Sequence, residues 1–117
     1  MKANASDLAN TNSNLITINN ILSGAKKLNA FSQKPADMLG NNNLFTINHI
    51  STPTNETDNY APPVNWTSTG RWFNVLTFGT DNRCTQIACY GYLGHGNDNK
   101  VWIRTQHDAS VSAWKEL

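Results

Sequence analysis

Charge is scarce in this sequence. Only 15% of its 117 residues are Asp, Glu, Lys or Arg, and nine basic against eight acidic side chains leave a formal net charge of +1. Without a long-range field, nucleic-acid binding and attachment to an acidic membrane both lose their usual driving force. Hydrophobic residues are also few, at 38%. No window approaches the roughly 18 uninterrupted apolar residues of a membrane span, and no apolar signal-peptide core follows Lys2. The expectation is a soluble protein without membrane insertion. The abrupt polar start "MKANASDL" reads as the beginning of a fragment of a longer chain. Two cysteines, Cys84 and Cys89, are the whole complement. Five positions apart on one strand they point to opposite faces, which is poor disulfide geometry and makes neither a zinc nor a redox motif. There is no nucleophile elbow, no His pair at metal spacing and no paired carboxylates beside a pocket-forming run. The sequence therefore predicts no catalytic residue, no metal and no cofactor.

Asparagine, threonine and serine fill the space that charge and apolar residues leave, and they suit exposed β-structure and loops. Three regions differ in character. In the first, about residues 1–29, Leu8, Leu15 and Leu22 recur at intervals of seven, with Thr11, Ile18 and Ala25 three positions later. This is an a/d heptad pattern, with Leu8, Leu15, Ile18 and Leu22 as the candidate seam of a short coiled coil. Its Asn-rich, β-branched content makes an isolated helix marginal in water, so copies of the chain are needed to hold it. "LITINNIL" also alternates like a strand, which leaves an irregular or β-structured segment as the alternative. Gly24 with Lys26 and Lys27 resembles a helix end.

The rest, residues 30–117, reads as one β-domain. "NLFTINHIST" is a strand among loops, with one helical turn begun at Pro35 and stopped at Gly40. "GRWFNVLTFG", "CTQIACYGYLG" and "VWIRTQHDASVSAWKEL" then give strands joined by turns, a meander closed by a hairpin. A hairpin centred on Asp108 and Ala109 sets Ile103 opposite Trp114 and Trp102 opposite Lys115. The expected core takes Val75 or Leu76, Phe78, Ile87, Tyr92, Val101, Ile103 and Trp114, while Arg104 and Asp108 form a surface pair. A domain of this size buries only about 60% of its unfolded surface, so a partner is expected. The expected fold class is mainly β: a small antiparallel domain behind a short coiled-coil segment, assembled as a homotrimer.

Chemistry concentrates in the segment Tyr90 to Asn99. Tyr90, Tyr92, His95, Asn97 and Asp98 bring aromatic rings, amides and a carboxylate together among glycines. Aromatic faces with planar hydrogen-bonding groups suit a flat polar ligand such as a sugar ring. A hairpin loop whose tyrosines belong to the core is the plainer alternative. Trp66, Trp72, Trp102 and Trp114 read as core or subunit-interface residues. A glycan-processing enzyme would need carboxylates converging on a groove, and Asp81, Asp98, Asp108 and Glu116 all fall at turns or the terminus.

Five pieces in order, "LGNNNLFTINHIST", "YAPP" at Tyr60 to Pro63, "GRWFNVLTFG", "TQIACYGY" with Gln86-Ile87, and the final stretch with Ile103, Arg104, Trp114 and Leu117, give residues 38–117 a resemblance to the pyocin-knob family of bacteriophage and R-type pyocin tail fibres. The resemblance implies a mainly β knob of a homotrimeric fibre in the virion, attaching to a glycan or outer-membrane receptor on a bacterium. It implies no catalytic residues. Cys84, Cys89 and "YGYLGHG" fall outside the family pattern. The alternative is a structural trimerisation or stem module with no receptor contact of its own.

Overall fold

A computed structural model describes residues 4–22, 25–40, 45–53, 56–64 and 71–117, with side chains described at 4–16 and from Lys27 onward within those ranges. Trp66, Gly24 and the run 41–44 lie outside the described residues. The described chain measures 62 × 30 × 24 Å. It is mainly β: one helix, α1 (Ala5–Leu22), a 3₁₀ turn (Pro35–Met38), and strands β1 (Ala25–Leu28), β2 (Phe45–Thr52), β3 (Arg71–Thr80), β4 (Arg83–Tyr90), β5 (Val101–His107), β6 (Ser110–Val111) and β7 (Lys115–Glu116).

Asn4 starts α1 by accepting the Asp7 N–H at 2.9 Å through its side-chain oxygen, and Asp7 sits in the first turn, where its charge complements the helix dipole. Every side chain described on α1 is exposed, Leu8 at 56% and Leu15 at 53%; those of Ile18 and Leu22 lie outside the described residues. The helical alternative for "LITINNIL" is thus realised in the backbone. Ala25 and the two lysines after it belong to β1 rather than to a helix end, since that segment pairs in parallel with β2, Ala25 opposite Ile47 and Leu28 opposite Ile50. The remaining pairings are antiparallel in the order β2-β3-β4-β5, and β5 then pairs with both β6 and β7.

Alternation gives the sheet two faces. The inner face carries Ile50, Phe73, Val75, Ala88, Tyr90 and Trp102, and Phe31 and Met38 cover it from the segment before β2. Phe31 packs edge-on to Phe73 at 5.2 Å and to Trp114 at 5.4 Å. Edge-on aromatic pairs of this kind contribute about 0.5–1.5 kcal/mol each beyond their area. The same face buries Thr77, Gln86, Arg104 and Gln106, which no core of this size tolerates unless they are bonded. A continuous chain satisfies them. Gln86 donates to Thr77 Oγ1 at 2.8 Å and accepts from Arg104 Nε at 2.7 Å. Arg104 reaches on to the carbonyl of Ser32 at 2.8 Å, and its guanidinium lies 4.6 Å from the centre of the Trp114 ring. Trp114 Nε1 donates to the Tyr60 carbonyl at 2.9 Å. Burial pushes the Arg104 pKa down to about 10, and nearby Asp58 opposes the shift. Asp58, itself buried, accepts the N–H groups of Phe31 at 2.9 Å and Tyr60 at 3.2 Å. This network fastens residues 29–40 and 56–64 onto three strands.

Three expectations are corrected. Most of the expected core occupies the opposite face: Phe78 is 39% and Tyr92 42% exposed, while Leu76, Ile87, Val101 and Ile103 are only half-buried. Val75 and Trp114 do join the core cluster. The bonded polar groups win the interior because the packing segments offer backbone partners to them. Arg104 accordingly faces inward, and Asp108 lies 3.6 Å from Arg83 instead. The terminal hairpin turns at Asp108-Ala109 as expected, with Gln106 opposite Val111, but Ile103 faces Lys115 and Trp102 faces Glu116. One extra residue between β6 and β7 makes a bulge, which turns Trp114 away from Ile103 and onto Phe31 and Arg104.

Candidate functional site

The connection between β4 and β5 is a ten-residue loop, 91–100, closed at its base by Gly91 N–H to the Trp72 carbonyl at 2.9 Å and Tyr90 N–H to the Lys100 carbonyl at 3.0 Å. Gly94, Gly96 and Asn99 adopt positive φ of 89°, 79° and 60°, the left-handed conformation that glycine and asparagine accept most readily. Asp98 Oδ1 accepts the Gly94 N–H at 2.9 Å and fixes the tip. These turns fold the loop back so that Tyr92 stacks on Trp72, ring centres 4.5 Å apart and planes 24° apart. His95 lies 4.7 Å from Tyr92 on a plane tilted by 34°. Three rings thus form one cluster at the start of β3, with Leu93 beside it in sequence and 70% exposed.

Of the five residues singled out from sequence, Tyr92 and His95 come together at this surface. Asp98 is on the same loop, but one carboxylate oxygen is spent on the loop itself. Asn97 is fully buried, and Tyr90 is 7% exposed and packs edge-on to Phe73 at 5.6 Å. Neither of these faces solvent, so both are corrected from contact candidates to scaffold. Trp72 and Leu93 were missed. The signal for Trp72 was present, since a strand ending at Tyr90 opposite Phe73 delivers the following loop beside the neighbouring residue. With two rings already against it, Tyr92 offers a ligand its edge and hydroxyl more than an open face. The Tyr92 hydroxyl and the exposed Leu93 are the groups this surface presents to a ligand.

No protein-family model, curated protein or solved structure matches this chain.

The opposite end of the sheet holds an open hollow of about 400 Å³ lined by Lys34, Asp37, Asp81, Gln106 and Asp108 among others. Gln106 is already satisfied there, accepting the Ala36 N–H and donating to the Asp108 carbonyl, both at 2.8 Å. Among the described residues no group of three or more His, Cys, Asp or Glu is arranged to hold a metal. Cys84 is buried and Cys89 exposed, and both are free, in keeping with their opposite faces.

Proposed function

We propose that this chain is part of a homotrimeric bacteriophage tail fibre and attaches the virion to a bacterial surface glycan or outer-membrane receptor, without catalysis. The observation that carries the reading is the placement of the aromatic loop. The chain passes from α1 into β1 at the row of Ile47, and β1 then runs toward the row of Ile50, Phe73 and Tyr90, the end from which loop 91–100 springs. In this reading the stem built on α1 lies on the side away from Trp72, Tyr92 and His95, and these rings stand toward the tip. Three such tips on one axis raise avidity by about 10²–10⁴ without strong single sites. The heptad leucines on an otherwise unpacked helix support the trimer, and the resemblance of residues 38–117 to the pyocin-knob family supports the fibre.

The test is binding of the labelled chain to a panel of bacterial cells and purified lipopolysaccharides, native against Tyr92→Ala. Saturable binding that weakens at least tenfold in the variant, with mass unchanged, supports attachment through the loop. A stem module without receptor contact is the second reading, favoured by how fully the loop satisfies its own polar groups. Absence of native binding, or equal binding by Tyr92→Ala, decides for it.

A further inference from the structure

The sheet face opposite the packing segments leaves several large apolar side chains open to solvent. Ile47, Leu76, Ile87 and Ile103 are direct neighbours across four strands, and Phe45 and Phe78 face each other in the next row. Ile47 is 46%, Phe45 42% and Phe78 39% exposed. The charged residues nearest this face stand at its margin: Lys27 on β1, Arg83 at the start of β4 and Lys115 on β7. Four strands about 4.8 Å apart and some seven residues long span roughly 400 Å²; His49, Asn74, Thr85 and Thr105 lie among the apolar rows, and a patch of this order is one that often serves a function on a monomer.

Area identifies what covers it. Around a three-fold axis three such faces bury at most about 1,200 Å² in total, about 400 Å² at each pairwise contact and short of the roughly 1,200 Å² of a stable interface, so contact through this face alone is too small to hold a partner. The chain carries a second unfinished apolar surface in α1, whose Leu8 and Leu15 are more than half exposed and which is marginal as an isolated helix. Only two residues separate α1 from β1. Copies joined through α1 therefore hold their sheets beside one another at high effective concentration, and each surface supplies what the other lacks. A copy of this chain carries both surfaces, as an unrelated partner would not.

We propose that the face built on Ile47, Leu76, Ile87 and Ile103 is the contact between copies of this chain around the axis set by α1. The proposal rests on the trimer reading above and names its surface.

Each chain contains a reporter and a control. Cys89 lies on the open face, opposite Asn74 and Val101, and is exposed in the single chain, whereas Cys84 is buried on the inner face. The experiment measures thiol reaction with an aromatic disulfide reagent alongside light-scattering mass, on the full native chain and on Ile87→Asp, with the exposed-site variant Ile47→Thr as a gentler second. The expected result is a native assembly in which Cys89 reacts at least tenfold more slowly than in the variants, while Cys84 stays protected in all three. A reactive Cys84 marks unfolding in Ile87→Asp, and Ile47→Thr then decides. A native trimer whose Cys89 reacts as fast as in the variants overturns this proposal and leaves the trimer standing. A native monomer overturns both.

Discussion

Replacing Arg104 with methionine removes the centre of the buried network while keeping an unbranched side chain of similar length. Arg104 is 4% exposed and makes two short hydrogen bonds, 2.7 Å to Gln86 Oε1 and 2.8 Å to the Ser32 carbonyl. Bonds from a charged donor are worth about 1.5–3 kcal/mol each, and acceptors left buried without a partner cost about 1–3 kcal/mol each. These overlap, since the orphaned acceptors are the same two groups. Relief of guanidinium desolvation and the apolar methionine offset about 1–2 kcal/mol. The net loss is about 3–4 kcal/mol, set against the roughly 5–14 kcal/mol expected for a folded unit of about 90 residues. Urea unfolding followed by tryptophan fluorescence checks this, at fixed protomer concentration because association adds its own stability. The expected fall in melting temperature is about 15–25 °C. Gln86→Leu is the companion, and the double variant is expected to fall short of additivity by at least about 1 kcal/mol. A loss below about 1 kcal/mol for Arg104→Met, or full additivity, refutes the claim that the network fastens the packing segments to the sheet.

Gly79, next to last in β3, has φ 131°, and a Cβ there collides with the Arg83 carbonyl and comes within 2.9 Å of Cys84 Cα. Gly79→Ala is expected to cost about 3 kcal/mol by the same urea assay, and a neutral effect contradicts the tight turn. Burial and Asp81 hold the Cys84 thiol above its ordinary 9.0. The folded chain then keeps a proton that the unfolded chain releases, so this contribution is intact below about pH 9 and declines as pH rises further. Native stability is therefore expected to fall more steeply than that of Cys84→Ser as pH rises above about 9; parallel profiles exclude the effect.

The strands were legible because alternation, glycines and turn residues mark them locally, and Pro35 marked the 3₁₀ turn. The choice of face was not. Gln86, Arg104 and Gln106 read as exterior residues, and only the long-range arrival of Ser32, Ala36 and Tyr60 makes their burial possible. Nothing periodic in residues 29–40 or 56–64 announces that. The bulge that turns Trp114 inward was equally hidden, since an uninterrupted ladder assigns it to the open face. Of the residues that carry the family resemblance, Gln86, Arg104 and Trp114 meet in this interior, while Ile87 and Ile103 lie on the open face and Leu117 is exposed. At the site, Tyr92 and His95 were legible from composition. Separating them from Tyr90 and Asn97 required the loop's left-handed turns, and adding Trp72 required the strand register.

The central claim is that this chain completes itself with copies of itself. Its solution mass by light scattering, followed through dilution, tests that most directly. The account predicts a stable mass near three times the 13.0 kDa of the chain. A folded monomer at all concentrations, with its apolar face and helix exposed as they stand, contradicts it.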